Sequence, residues 1–186
     1  MPFWEEGPSK AIDEILASEF DLLLGRRTYE IFAAYWPYAG DNPIGTAFNK
    51  ATKYVATRTL DRLDWQNSQH LGTLEEIRRL KASEGPALHI WGSGNLLQTL
   101  IAAELIDEHR IWIFPLILGK GKRLFENSVP PRSFTLIDTY STTKGVLINT
   151  YCPAGPIPKL PAEHLGAPSE AELARRKKLT TELDQG

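Results

Sequence analysis

Ala87-Leu88-His89-Ile90-Trp91-Gly92-Ser93-Gly94-Asn95-Leu96-Leu97 is a short apolar run that breaks at Gly-Ser-Gly and resumes as an apolar segment. The pattern predicts a strand, a tight turn and a helix that buries Leu96, Leu97, Leu100 and Ile101. Glycines let the backbone approach a ligand, and the first free amides of a helix point outward with the positive end of its dipole behind them. Two readings of this stretch stand side by side: a phosphate cradle, or an ordinary strand-to-helix turn.

Working outward, the same order recurs upstream. Asp21-Leu22-Leu23-Leu24 reads as a strand buried on both sides, which implies a parallel sheet. Gly25-Arg26-Arg27-Thr28-Tyr29-Glu30 then opens a helix carrying Phe32, Tyr35 and Trp36 until Pro37 ends it. Guanidinium groups in a first helical turn oppose the dipole and need compensation, which favours a second anion site over solvated surface arginines. Lys53-Tyr54-Val55-Ala56-Thr57 has strand composition and ends in Thr57-Arg58-Thr59, a hydroxyl followed by a guanidinium fork that suits phosphate. Around these lie a core-packing helix over 10–18, a helical turn over 44–50 and a short strand within 65–71. A capping box at Thr73-Leu74-Glu75-Glu76 starts a helix that stops at Gly85-Pro86.

Downstream, Arg110-Ile111-Trp112-Ile113-Phe114 is rich in β-formers, and 134–140 and 146–151 alternate around 141–145 as an antiparallel hairpin. The expected fold class is α/β, with a mixed, mostly parallel sheet flanked by helices and a C-terminal hairpin. From Pro153 the composition turns to proline, glycine and alanine, so residues 1–152 are expected to form the domain and 153–186 a tail. Ser169-Glu170-Ala171-Glu172 caps a terminal helix whose Arg175-Arg176-Lys177-Lys178 run reads as a solvated face.

The 186 residues suffice for one sizeable core. A net charge of −2 argues against a nucleic-acid binder, so any anion site is local. A single cysteine, Cys152, and a start without basic and apolar leader regions point to a reducing cytoplasm. No apolar run approaches the roughly 18 residues of a membrane span. His70, His89, His109 and His164 lack ligand spacing, so no metal is expected, and Cys152 reads as an inert thiol. Trp4, Trp36 and Tyr38 are candidates to line a flat ring pocket.

With parallel strands, the three phosphate-suited strand ends fall on the carboxyl edge of the sheet, where α/β proteins bind ligands. Three together suit a ligand with several phosphates. Arginines at two of them favour a dinucleotide with an extra phosphate, NADPH over NADH. The dinucleotide fingerprint is incomplete, because Leu97 stands where its third glycine belongs and no acidic residue follows at the expected distance.

Leu24-Gly25-Arg26-Arg27-Thr28-Tyr29-Glu30, Thr57-Arg58, Ile90-Trp91-Gly92-Ser93-Gly94 and Leu105-Ile106-Asp107-Glu108, followed by Phe114-Pro115-Leu116-Ile117-Leu118-Gly119-Lys120-Gly121-Lys122-Arg123-Leu124-Phe125, resemble one family. It is that of the dihydrofolate reductase-like proteins related to the C-terminal reductase domain of bacterial riboflavin biosynthesis (RibD). The resemblance spans residues 9–151. It implies NADPH as hydride donor to a small cyclic or heteroaromatic, pteridine- or pyrimidine-like substrate. It also implies that Arg26, Arg27 and Thr28, following Gly25, hold the adenosine-side phosphates, and that Thr57 and Arg58 meet the 2′-phosphate. Gly92, Ser93, Gly94, Asn95, Leu96 and Leu97 would cradle the pyrophosphate. Residues 115–121 would form a β-rich, dimer-forming segment, and a homodimer is expected.

Family members usually begin with a central strand and a Ser-Leu-Asp-Gly-like loop over the nicotinamide, and the sequence shows neither before Met1. An incomplete sheet is therefore expected, with poor solubility or a partner chain filling the gap. Residues 36–39 also lack the arginine that pairs with the tail of folate, which makes folate a poor substrate candidate. Glu5, Glu6, Asp13 and Glu14 lie near a proton donor's place, but first-turn acids usually complement the dipole, and no catalytic residue is assigned. Two alternatives to a reductase are a non-catalytic nucleotide-binding module and a ligand-free homodimeric scaffold.

Overall fold

The structure, a computed structural model, describes residues 6–125, 129–158 and 167–183. Its elements in chain order are α1 (Glu6–Leu16), β1 (Phe20–Gly25), α2 (Arg26–Tyr35), a 3-10 turn at Trp36–Tyr38, α3 (Pro43–Lys50), β2 (Lys53–Ala56) and β3 (Ser68–Leu71). There follow α4 (Leu74–Ala82), β4 (Ala87–His89), α5 (Gly94–Ala102), β5 (His109–Ile113), β6 (Ser133–Ser141), β7 (Leu147–Gly155) and α6 (Glu170–Leu183). The chain divides into two compact units, 1–155 and 156–186, because β7 runs on through Pro153 to Gly155 before the composition change ends pairing.

The strands form two sheets. One is wholly parallel, in the order β3-β2-β1-β4, and the other wholly antiparallel, in the order β5-β7-β6. The two strand directions foreseen are thus sorted into separate sheets. Among the described residues β4 pairs only with β1, and β5 only with β7.

Alternation along β1 explains its central place. Leu22 and Leu24 face one side and pack with Tyr29, Phe48, Val55 and Trp65, under α2 and α3. Leu23 faces the other side and packs with Ile77 and Leu100, from α4 and α5. Burying a strand on both faces calls for continuous apolar sequence, and Leu-Leu-Leu supplies it. The antiparallel sheet has its own small core, in which Ala11 of α1 meets Val146, Ile148, Trp112 and Tyr140.

Two local features differ from the sequence expectation. Residues 115–121 are irregular rather than β-rich: Pro115 has no amide to give a ladder, and Gly119 sits at φ +70°. Tight turns take up the amides of Leu116 and Lys120, which donate to Phe114 O and Leu118 O at 2.8 Å. Lys53, read as an ordinary strand residue, is fully buried. Its ammonium donates to Phe48 O (3.0 Å), Asn49 O (3.1 Å) and Ala51 O (2.7 Å). These are the open carbonyls at the end of α3, and the Trp65 ring lies 4.6 Å from the charge.

Candidate functional site

The parallel registers set the site. Leu24 pairs with Val55 and Gly25 with Ala56, while Leu22 pairs with His89. Gly25, Thr57 and Gly92 therefore emerge at nearly one height on the carboxyl edge. The chain moves outward from β1 to β2 and β3, then returns to place β4 on the other side of β1. That reversal opens a crevice between the ends of β1 and β4, flanked by the starts of α2 and α5.

Both helices begin without a side-chain cap, at Gly25 for α2 and at Ser93 for α5. Ser93 locks them together. Its Oγ accepts from the Gly25 amide (3.0 Å) and donates to Trp91 O (3.2 Å), while its own amide donates to Thr28 Oγ1 (2.9 Å). Ser93 is buried in the left-handed region at φ 52°, and Gly92 before it stands at φ +62°. A Cβ on Gly92 would lie 3.3 Å from Thr28 Oγ1, close enough that Thr28 would have to give way, and the φ of +62° adds strain for any other residue, so glycine suits the turn against α2. Gly94 has open space around it. The amides of the first turn of α5 remain available to an anion at that opening, since the first intrahelical bond there is Leu97 N–H to Ser93 O at 2.9 Å.

Arg26 reaches across to the loop after β2. Its Nη1 donates to Thr59 Oγ1 at 2.9 Å, and its Nε lies 3.4 Å from Glu30 Oε1, one turn further along α2. Glu30 and Thr59 supply the compensation that a guanidinium at a helix start requires. Thr57 is buried, and its Oγ1 accepts from the amides of Thr59 (3.2 Å) and Leu60 (3.3 Å), leaving its O–H proton to offer a ligand. Arg27 and Arg58 are exposed on the same rim.

The structure thus brings residues 25–28 and 92–97 into direct contact and joins 57–58 to them through the Arg26–Thr59 bond. Sequence reasoning missed Thr59 and the internal duty of the Ser93 hydroxyl. The Thr-x-Thr spacing of a hydroxyl turn was the available signal for the first. For the second there was none, because its partner Gly25 is distant in the chain.

The other residues singled out lie elsewhere. Trp36 packs edge-on against Phe48 at 5.2 Å, and Tyr38 is exposed. Asp13 and Glu14 are exposed on α1, with Glu14 3.8 Å from Lys10. Trp4, Glu5 and His164 lie outside the described residues, as does the side chain of Glu6. His70 Nε2 lies 3.1 Å from Leu60 O. His89 stacks on Phe20 at 4.5 Å, and His109 is buried with its ring edge-on to Phe134 at 5.0 Å. Cys152 is half-buried on β7. Among the described residues no group of three or more His, Cys, Asp or Glu could hold a metal, and no helix is long and apolar enough to cross a membrane.

Comparison with known proteins identifies the family and the fold. The chain is 28% identical over 149 residues to the protein YyaP of Bacillus subtilis (strain 168), covering 77% of this chain and 79% of that one. Its fold matches the crystal structure of a protein from Shewanella sp. PV-4 described under riboflavin biosynthesis, with a TM-score of 0.61 and 23% identity over 81% of each chain. It also matches a pyrimidine reductase-like protein from Corynebacterium diphtheriae, with a TM-score of 0.54 and 11% identity over 85% of this chain and 84% of that one. The family model of the RibD C-terminal domain matches residues 3–148, which contain both sheets' starting strands and the whole of the rim described above. The chain belongs to the RibD C-terminal domain family, a family of reductase type.

Proposed function

We propose that the rim of residues 25–28, 57–58 and 92–97 binds NADPH, and that the protein passes hydride from it to a small cyclic or heteroaromatic substrate of pteridine or pyrimidine type. The observation that carries this reading is the pair of uncapped helix starts held side by side by Ser93. Two dipole ends and a glycine turn with open space at Gly94 fit a pyrophosphate. Arg26, Arg27 and Arg58 add positive charge around it, suited to the further phosphate that distinguishes NADPH from NADH. Family membership and the pyrimidine reductase-like neighbour support the substrate class.

When bound, the cofactor supplies the hydride. This chain's residues do the holding. The first-turn amides of α5 orient the pyrophosphate, and the rigid Gly25–Ser93–Thr28 contacts keep that cradle from collapsing when it is empty.

NADPH at about one hundred times its dissociation constant would stabilise the fold by about 2.7 kcal/mol, NADH by less. Thermal melts of the full chain read this directly, and Gly92→Val should abolish the shift. No shift at millimolar NADPH would end the proposal. A second reading, a nucleotide-binding module without turnover, is favoured by β4 and β5 lying in separate sheets among the described residues. Stabilisation by NADPH with no oxidation across pteridine and pyrimidine substrates would select it.

A further inference from the structure

Lys53 is a fully buried cation with no place in the cofactor rim itself. An ammonium has three N–H donors and no acceptor, and three carbonyls at the end of α3 receive them, those of Phe48, Asn49 and Ala51. A neutral amine would have two donors left and would turn its lone pair on the third carbonyl. The charge, and not only the length of the side chain, is therefore needed to close this end of α3.

The same charge lies 4.6 Å from the ring of Trp65, which is buried near the far end of the loop that begins at Thr57. Trp65 ties that loop to two helices. Its amide donates to Tyr29 Oη of α2 at 3.0 Å, and its Nε1 donates to Asn49 Oδ1 of α3 at 2.7 Å. Asn67 adds a third tie, accepting from the Lys53 amide at 2.8 Å and donating through Nδ2 to Asn49 O at 3.2 Å. Only residues 60–64 separate this knot from Thr59, the partner of Arg26, and Leu60 and Leu63 among them pack on the same core as Trp65.

The charges around Lys53 are otherwise spoken for. Asp21 of β1 acts on it from the neighbouring strand while accepting from the Thr52 amide at 2.8 Å. Lys50 of α3 turns outward to Glu19. Tyr54 packs on the other face of the sheet, with Leu23. In the loop, Arg62 pairs with Asp64, and Arg58 and Asp61 are exposed.

We propose that the Lys53 ammonium, through the Trp65 ring and Asn49, is the positioning group that holds the 57–67 loop, and with it Arg58 and Thr59, where the rim meets a phosphate. The proposal rests on the reading of that rim as a dinucleotide site. Burial pushes the ammonium down to about 8, against the pull of Asp21, so the group passes from charged to neutral between pH 7 and 9. Over that range the loop loses its hold, and with it the preference for NADPH over NADH. Folding stability moves the other way. The unfolded chain keeps this proton to its ordinary 10.5, so it binds more protons than the native state and stability rises with pH. A general alkaline loosening would lower both.

Dissociation constants of NADPH and NADH, measured by calorimetry on the full chain, should show the preference for NADPH fall at least about fivefold between pH 7 and 9. The extra phosphate is a monoester with a second pKa of about 6 and stays fully charged throughout. Lys53→Met should show the lower preference at every pH, and its urea unfolding should lack the wild-type rise in stability. Without cofactor, hydrogen exchange at pH 7 should find the Thr59 and Leu60 amides less protected in Lys53→Met. Should that variant fail to fold, exchange of the wild type at pH 9 against pH 7, corrected for intrinsic rates, gives the same comparison. Thr73→Ala, weakened at the start of α4, should keep the wild-type profile. A wild-type preference that is level with pH overturns the proposal. So does a loop whose protection is unchanged, or a Thr73→Ala profile like that of Lys53→Met. If the wild type binds neither nucleotide at any pH, the cofactor reading fails and the exchange result alone decides whether Lys53 anchors the loop.

Discussion

The Ser93 hydroxyl accepts from the Gly25 amide and donates to the Trp91 carbonyl, so Ser93→Ala leaves a part-buried amide without its acceptor at the point where two helices start. A loss of about 1–2 kcal/mol in urea unfolding is expected, together with weaker NADPH stabilisation. Ser93→Gly should cost less, because glycine relieves the strain of φ 52° while losing the same bonds. His89 and His109 give a second residue-scale test. Burial lowers the pKa of both below the ordinary 6.5, and for His89 Arg110 adds to this while Glu108 opposes it. Below pH 6.5 the unfolded chain takes up protons that the folded histidines resist. Stability should therefore be level above that pH and fall as the solution is acidified through the lowered native pKa values. Melts between about pH 7.5 and 5.5 should show this slope, and a His89→Gln, His109→Gln chain should flatten it. An unchanged slope would mean that other groups carry the acid sensitivity.

At the scale of elements, α4 is the clearest case of sequence writing structure. Thr73 Oγ1 accepts from the Glu76 amide at 3.2 Å, and Glu76 Oε2 accepts from the Thr73 amide at 2.8 Å, completing the box expected from Thr73-Leu74-Glu75-Glu76. Thr73→Ala should cost about 1 kcal/mol in chemical unfolding and leave cofactor binding intact, since the cap lies on the far side of β2 from Gly92. The triple leucine of β1 was equally readable: a run apolar on every residue must be buried on both faces. Residues 115–121 were not, because their strand-like composition is overruled by one missing amide at Pro115 and one left-handed glycine at 119. Lys53 belongs with them. No pattern of residue types tells a lysine that will fold back onto the carbonyls of the helix just before it from one that will stand in water, and here burial pushes its ammonium down to about 8.

For the molecule as a whole, the division into two sheets sets an order of local stability. β1 is paired on both sides and buried between two cores, whereas among the described residues β4 is bonded on one side only, and Ala87 is exposed. Hydrogen exchange should find the amides of residues 22–24 the slowest in the chain, and those of β4 and β5 faster by opening on their unpaired sides. Equal protection across all four parallel strands would contradict the division.

The sequence by itself determined the parts that depend on near neighbours: alternating and continuous apolar runs, caps, glycine turns and the strand-to-helix order that made a carboxyl-edge site foreseeable. Its motifs also carried the family. Only the tertiary structure decided that Ser93 would bolt α5 to α2 and that Arg26 would bridge to Thr59. Those outcomes depend on which strands lie beside which, and in what register, and pairing between distant segments is set by packing of the whole rather than by any window of the chain.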